Sequence, residues 1–336
     1  MILGVALGRP ANTLVAVRSD ARFHHPPPDG AAYRAVCVAA DLDAVRQAPV
    51  AALRVAGACP DSLRPRVGPG GAAAIVRGGH TLTGRALAPL DTSAVRRFAV
   101  ECGLRDFAIT ATGSPALADH ELEAAAVVAD AVPGARITLS YEFGRPGLRE
   151  REAETIRNAA LGPAAEELAE EVTRQWPGLP VYFARSGEGL VSAHYFRRYP
   201  LACRLGWTTS RDRGLTALTP GHEQGTPLLP TVEQDTPGLG RSGLDGGPGV
   251  PEPEVAAAYG AVLAWPRAGV ERIVRARGKA ELDRALQDAR DEALTRVVSA
   301  GAAPGSARVV VTGVNPLSYL PDGLYRLHVV AEGATP

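Results

Sequence analysis

The run from Arg136 to Leu161, RITLSYEFGRPGLREREAETIRNAAL, constrains the fold more than any other part of this chain. Ile137, Thr138 and Leu139 read as a short strand, Ser140 to Glu142 as a polar turn, and the following Glu- and Arg-rich stretch as a helix ending in small residues. A strand that feeds a helix through a short turn is the building unit of a parallel sheet. The neighbouring sequence repeats the alternation. Asp91 is placed to cap a helix that runs to about Cys102 and stops at Gly103. Phe107 to Thr112 reads as a buried strand, and apolar residues at helical spacing fill Ala118 to Val132. A helix pair is expected from Leu148 to Trp176, with a return to the sheet at Val181–Ala184. The expectation is an α/β fold with a largely parallel sheet.

Upstream, residues 2–7 and 13–18 form the two arms of a first hairpin, 33–39 and 50–56 are further strands, and Ala74 to Asp91 reads as strand–turn–strand. Downstream, Gly214 to Pro253 is crowded with Gly and Pro and reads as a loop, lid or linker, because such a segment buries little apolar surface. Order resumes at Val255–Ala264, followed by a helix at Lys279–Ala300 and strands at Arg308–Thr312 and Tyr325–Val330. The chain thus divides into an α/β domain over 1–206, a linker over 207–254 and a C-terminal segment over 255–336.

With 336 residues, 46% of them hydrophobic, the chain can bury a core sufficient for two domains. Basic and acidic residues balance at 36 each, so no global field points to nucleic acid, a membrane surface or a polyanion. Lys279 is the only lysine and lies in a surface helix, which leaves little room for Schiff-base chemistry. Arg in place of Lys, with abundant Ala, Gly and Pro, points to a GC-rich genome such as an actinobacterial one. No apolar run reaches the ~18 residues of a membrane span, and MILGVALGRP lacks the basic start of a signal peptide. Cys37, Cys59, Cys102 and Cys203 are scattered and read as reduced thiols of a cytoplasmic protein. The seven histidines, among them His80 and His222, show no metal-ligand spacing, and no metal is expected. No P-loop or Gly-x-Ser-x-Gly motif is present, and the one Gly-x-Gly-x-x-Gly, Gly238–Gly243, lies inside the Gly/Pro stretch without the strand before it and helix after it that a complete fingerprint needs.

Several segments in order resemble the hydantoinase A/oxoprolinase family. The opening run resembles the family's "VTLSHEIGRIGLLERENATILNAAL". VRGGHTLTGRALAPLD (Val76–Asp91) is similar to "VRGGHEFDGRPIAPLD", and PVYFARSGEGLVSAHYFRRYP (Pro180–Pro200) to "PLYLTQNDGTLMSAEYARRYP". NPLSYLPDGLYRLHVVAEG near the C-terminus also fits. The resemblance implies an actin-like ATPase architecture, with an RNase-H-like N-terminal domain of mixed sheet and flanking helices, and here a reduced α+β C-terminal part. It also implies opening of hydantoin or 5-oxoproline rings, which most members drive with ATP. The family's "Asp-Val-Gly-Gly-Thr" hairpin falls on Ala6, Leu7, Gly8, Arg9 and Pro10, which carry no carboxylate and, at Pro10, no N–H for a phosphate. Its "Gly-Thr-Thr" turn falls near Ala39–Asp43, its "Ser-Gly-Pro" loop on Cys203–Gly214, and its second "Asp-Ile-Gly-Gly-Thr-Thr-Asp" hairpin is not found. The expectation is therefore a shortened member that uses no cofactor.

Ser140, Tyr141, Glu142 and Arg145 follow a strand end, where α/β sheets place ligands. Glu142 is a candidate acid/base, or a helix cap; Tyr141 stands where the family commonly has His. Arg151, Glu154 and Asn158 share one helix face, which is either solvated or, at Arg151 and Asn158, part of a pocket. Ser186 and Gly187 form a turn that either binds a carboxylate through its amides or merely links elements. His194, with Tyr195 and Arg198, lies on the next helix. The reading that follows is an ATP-independent enzyme acting on a small amide, lactam or imide in specialised metabolism, by hydrolysis, cyclisation or isomerisation. Glu142 and His194 are its catalytic candidates, and Ser140, Tyr141, Arg145, Arg151, Asn158, Ser186 and Gly187 its binding candidates. The alternatives are a non-catalytic partner of a hydantoinase B-like subunit, with a homodimer also open, and a protein that binds ATP through an altered site.

Overall fold

A computed structural model describes residues 1–8, 12–17, 23–28, 30–143, 147–218, 252–317 and 323–335. Strands β1 (Ile2–Leu7) and β2 (Thr13–Val17) form the expected antiparallel hairpin, which β3 (Phe23–His24) extends. β4 (Ala35–Ala40) pairs in parallel on the other side of β1. The chain then leaves this sheet and builds a second one from β5 (Ala51–Ala56), β6 (Ala72–Arg77), β7 (Asp106–Ala111) and β8 (Arg136–Leu139). All four strands are parallel, in the order β6-β5-β7-β8. Helices α1 (Thr92–Glu101) and α2 (Asp119–Ala131) cover one face, where Val95, Ala99, Ala124 and Val128 pack on Leu53, Val55, Phe107 and Ile109. Asp91 caps α1 as expected, accepting from the Ala94 amide at 2.9 Å.

Helix α3 (Leu148–Gln175) carries the chain back to the first sheet. There β9 (Val181–Ala184) pairs in parallel with β4, and β10 (Leu190–Ser192) closes the order β10-β9-β4-β1-β2-β3. Short α4 (Ala193–Arg198) and α5 (Gly206–Leu218) follow, then α6 (Pro253–Val262). β11 (Arg267–Arg275), α7 (Lys279–Ser299), β12 (Arg308–Pro316) and β13 (Leu324–Glu332) end the chain, the strands forming an antiparallel sheet ordered β11-β13-β12.

Alternation along the strands sorts the first sheet into two unlike faces. Leu3, Val5 and Leu7 join Val36 and Val38 on a bulky face, covered by Leu161, Ala165, Ala169 and Val172 of α3 and Ala289, Ala293 and Val297 of α7. Ala6, Ala35, Cys37 and Ala39 form a face of small side chains, covered by the Ala-rich α6. The small residues set the spacing: a Cβ at Gly4 would overlap the Ala258 carbonyl, and one at Gly214 of α5 would overlap that of Ala256.

Four expectations are corrected. Leu148–Trp176 is one helix of 28 residues, not a pair, and it runs through Pro163. Its first half packs on the second sheet through Ile156, Ala159 and Ala160, and its second half on the first sheet, so burial at both ends outweighs one missing hydrogen bond. The charged face of α3 is not solvated: Arg151 is 1% exposed and Asn158 2%. Ala74–Asp91 gives one strand and an isolated bridge between His80 and Ala86, because Gly78 and Gly79 take positive φ and turn the chain away. Gly214–Leu218 is helical, and α6 begins at Pro253, two residues before the expected Val255; residues 219–251, His222 included, lie outside the described residues. The strand at Arg267–Arg275, unforeseen, alternates half-buried and buried positions.

Candidate functional site

In a doubly wound sheet, ligands bind beyond the carboxyl ends of the strands where the order reverses, here between β5 and β7. That crevice is filled by the chain itself. The amide of His80 donates to the Thr112 carbonyl at 2.8 Å, and that of Thr112 to Val55 at 2.9 Å. The His80 ring lies 4.1 Å from that of His120, whose Nδ1 accepts from the Gly79 amide at 2.7 Å. Burial, and then the neighbouring His120, hold the His80 imidazole below its ordinary range, with Asp119 opposing. On this sheet the sequence candidates lie instead at the end of the outer strand β8.

Ser140 there is fully buried, in a polar cluster supplied by four segments. Its hydroxyl donates to the Glu121 carboxylate of α2 in a short hydrogen bond. Glu121 also accepts from the amides of Ala111 (2.7 Å) and Tyr141 (3.0 Å). Arg151 of α3 donates to Ser140 Oγ (3.1 Å), to the Ala111 carbonyl (2.8 Å) and to Ser114 Oγ (3.3 Å). Burial pushes the Glu121 carboxyl up, against the pull of Ser140, Ser114 and the two amides, and pulls Arg151 down, against the pull of Glu121. The cluster is a brace: it fixes the β8 end and the backbone of Tyr141.

Glu142 is the next residue, and it emerges from the brace. Its carboxylate accepts from Arg198 Nη2 of α4 at 2.9 Å. Arg198 Nε donates to the Tyr199 hydroxyl at 2.8 Å. Burial, then the Glu142 charge and its hydrogen bond, push that hydroxyl above the ordinary tyrosine range, so Tyr199 stays a proton donor across neutral pH. The Tyr195 ring packs 4.7 Å from that of Tyr199, and Tyr141 lies beside Glu142, with both phenols raised chiefly by burial. A carboxylate, a guanidinium and the Tyr199 phenol therefore meet at one partly open surface, with the Tyr195 ring packed against Tyr199.

The other sequence candidates fall in different places. His194 is exposed on α4, four residues before Arg198 and so on the same helix face. Asn158 is spent on structure, donating to Thr138 and to the Arg198 carbonyl (3.0 Å) and accepting from the Leu201 amide (3.2 Å). It clips α3 to the segment that carries Arg198 and Tyr199. Ser186 accepts from the Leu205 amide at 3.0 Å and the Gly187 amide donates to Thr209 at 3.2 Å, which ties the turn after β9 to α5 rather than to the Ser140 cluster. Arg145 lies outside the described residues. Tyr199, Ser114 and Glu121 were not singled out in the sequence; Tyr199 carries a signal in its spacing of four from Tyr195, whereas Glu121 sits in an ordinary-looking helix. Among the described residues, no group of three or more His, Cys, Asp or Glu is arranged to hold a metal.

No protein-family model matches the sequence, and no curated protein matches it. Solved structures do. The crystal structure of the ATP-dependent caprolactamase from Pseudomonas jessenii superposes with a TM-score of 0.70 at 12% identity, over 100% of this chain and 89% of that one. The two chains share a fold. It is a mixed α/β fold of the actin-like ATPase type, with parallel-rich sheets flanked by helices. A nucleotide-free acetone carboxylase, from work on ATP-dependent acetone carboxylation, matches with a TM-score of 0.50 at 12% identity, over 64% of this chain and 40% of that one. None of the helices in the described residues is long and apolar enough to cross a membrane.

Proposed function

We propose that this chain is a cytoplasmic, hydantoinase/oxoprolinase-type enzyme, shortened relative to that family, which opens or closes a small lactam, imide or cyclic amide. The observation that carries the reading is the match along its whole length to a lactam-opening enzyme, combined with the Glu142–Arg198–Tyr199 cluster at the β8 end. In the hydrolytic direction, Arg198 and Tyr199 donate to the ring carbonyl oxygen and stabilise the charge that grows on it. Glu142 takes a proton from water as the new C–O bond forms. It delivers that proton to the ring nitrogen as the C–N bond breaks. His194, one turn from Arg198, lies at the rim of this surface and is positioned to meet the substrate's polar end.

We further propose that ATP plays no part. The described residues at the β1 end do not fit a triphosphate grip. Ala6 offers no carboxylate and is buried beneath α6, and Leu7 points into the opposite core. Asp41 beside Gly8 instead folds back on its own segment, where Oδ1 accepts from the Asp43 amide at 3.1 Å. Arg9 and Pro10 lie outside the described residues. The opposing reading, an ATP-driven enzyme, is favoured by the names of both structural neighbours, each of which speaks of ATP dependence. Calorimetry with ATP and Mg²⁺ separates them: no heat of binding up to millimolar nucleotide supports the proposal, and micromolar affinity overturns it.

A non-catalytic partner subunit is the second reading. It is favoured by β12, a nine-residue edge strand with Val310 and Val311 exposed, which offers unpaired backbone to another chain. Co-purification with a hydantoinase B-like protein, with no turnover by the complex of any lactam, would establish it.

A further inference from the structure

A cavity of about 280 Å³ opens between α5, the end of α6 and the C-terminal sheet, and shares no residue with the β8 site. One wall is a row across three paired strands: Arg267 of β11, Glu332 of β13 and Arg308 of β12 stand in register. Their charges are matched. Arg308 pairs with Glu332 at 2.8 Å, and Arg267 pairs with Glu188 from the turn before β10. The facing wall holds Arg213 and Trp265.

Arg213 is the odd member. It is partly buried, and among the described residues its one hydrogen bond is from Nη1 to the Gly260 carbonyl, at 2.9 Å. The carboxylates across the cavity, Glu188 and Glu332, are taken by Arg267 and Arg308, and among the described residues none pairs with Arg213, whose guanidinium burial holds below the ordinary arginine range. A half-buried cation without a counter-charge is costly, and charged side chains are seldom buried unpaired. Four of its five N–H donors remain for another partner. Trp265 presents a flat apolar surface at the same opening, 55% exposed, which is uncommon for so large a ring.

We infer that this cavity binds a small planar monocarboxylate, with the Arg213 guanidinium forking the carboxylate and the Trp265 ring covering its apolar body. The bidentate fit of guanidinium to carboxylate and the favourable contact of a planar body with indole account for both unsatisfied features at once. The matched pairs Arg267–Glu188 and Arg308–Glu332 leave Arg213 as the charge that selects the ligand.

Benzoate and its neutral isostere benzamide are suitable probes, titrated by calorimetry into the full-length protein. Benzoate is expected to bind at least tenfold more tightly than benzamide. R213Q is expected to lose at least tenfold of the benzoate affinity, R213K to lose less, and W265A to weaken both probes together. Without ligand, R213Q should melt at or above the wild-type temperature, since it removes an unpaired buried charge; this also shows that the variant is folded. The inference fails if benzoate binds no better than benzamide, if neither binds at millimolar concentration, or if R213Q binds benzoate as wild type does.

Discussion

Glu121 and Ser140 carry the heaviest local consequence. The Glu121 carboxylate accepts two backbone amides and a hydroxyl beside a buried arginine, so it can be replaced by a carboxamide only by turning an N–H towards another N–H. E121Q should therefore cost about 3 kcal/mol, because it also leaves Arg151 buried beside a neutral group, whereas S140A should cost about 1 kcal/mol; urea unfolding reads both. The His80 imidazole gives a pH signature. Its folded value lies below the 6.5 of a free histidine, so the unfolded chain takes up the proton first, and stability is present above pH 6.5 and lost as pH falls below it. The difference in melting temperature between wild type and H80Q should shrink on acidification from pH 7.5 to 5; a constant difference would count against a buried neutral His80. Arg151 and Asn158 were visible in the sequence as one helix face, but not their burial. Charge on a helix usually means solvent, and only the third dimension brings Glu121, Ser114 and the Arg198 carbonyl within reach.

The α5–α6 crossing sets the geometry between elements. Cβ atoms at Gly214 and Gly260 would overlap the carbonyls of Ala256 and Ser210, so the two helices touch backbone to backbone. G214A should destabilise by about 3 kcal/mol or more, as overpacking with no flexible neighbour to yield. By contrast, Gly278 caps α7 with extended backbone, no side-chain hydrogen bond and open space around it, so G278S should stabilise slightly, by about 0.2–0.5 kcal/mol. Thermal melts of the two variants test the contrast directly. The strands and helices with clean periodicity, such as Ile2–Leu7 and the Asp91-capped helix, were legible because burial is one-sided there. Gly214 was not: in sequence it opens a Gly/Pro stretch, while in the fold its missing side chain is what allows a helix to pack. The break expected between Leu148 and Trp176 is likewise absent: burial at both ends of α3 outweighs the local breaker Pro163.

At the scale of the whole molecule, the α/β class and the actin-like ATPase type could be read in advance, while the split of the first 206 residues into two sheets could not. Nothing in a linear pattern says that β5–β8 leave the first sheet and that β9 returns to pair with β4. That excursion places the β8 end against α4, and so makes Glu142, Arg198 and Tyr199 neighbours although 56 residues separate the carboxylate from the guanidinium. Arg198 is exposed but the Glu142 side chain is only 10% exposed, so E142Q should cost about 1–2 kcal/mol of stability, while lowering turnover at least ~100-fold if it moves the proton. The decisive measurement is lactam opening, followed by release of new amine from a panel that includes caprolactam and 5-oxoproline, with and without Mg-ATP. The account predicts turnover that is unchanged by nucleotide, yields no ADP and is abolished in E142Q. Turnover that requires ATP and releases ADP in step with amine, with E142Q as active as wild type, would contradict it.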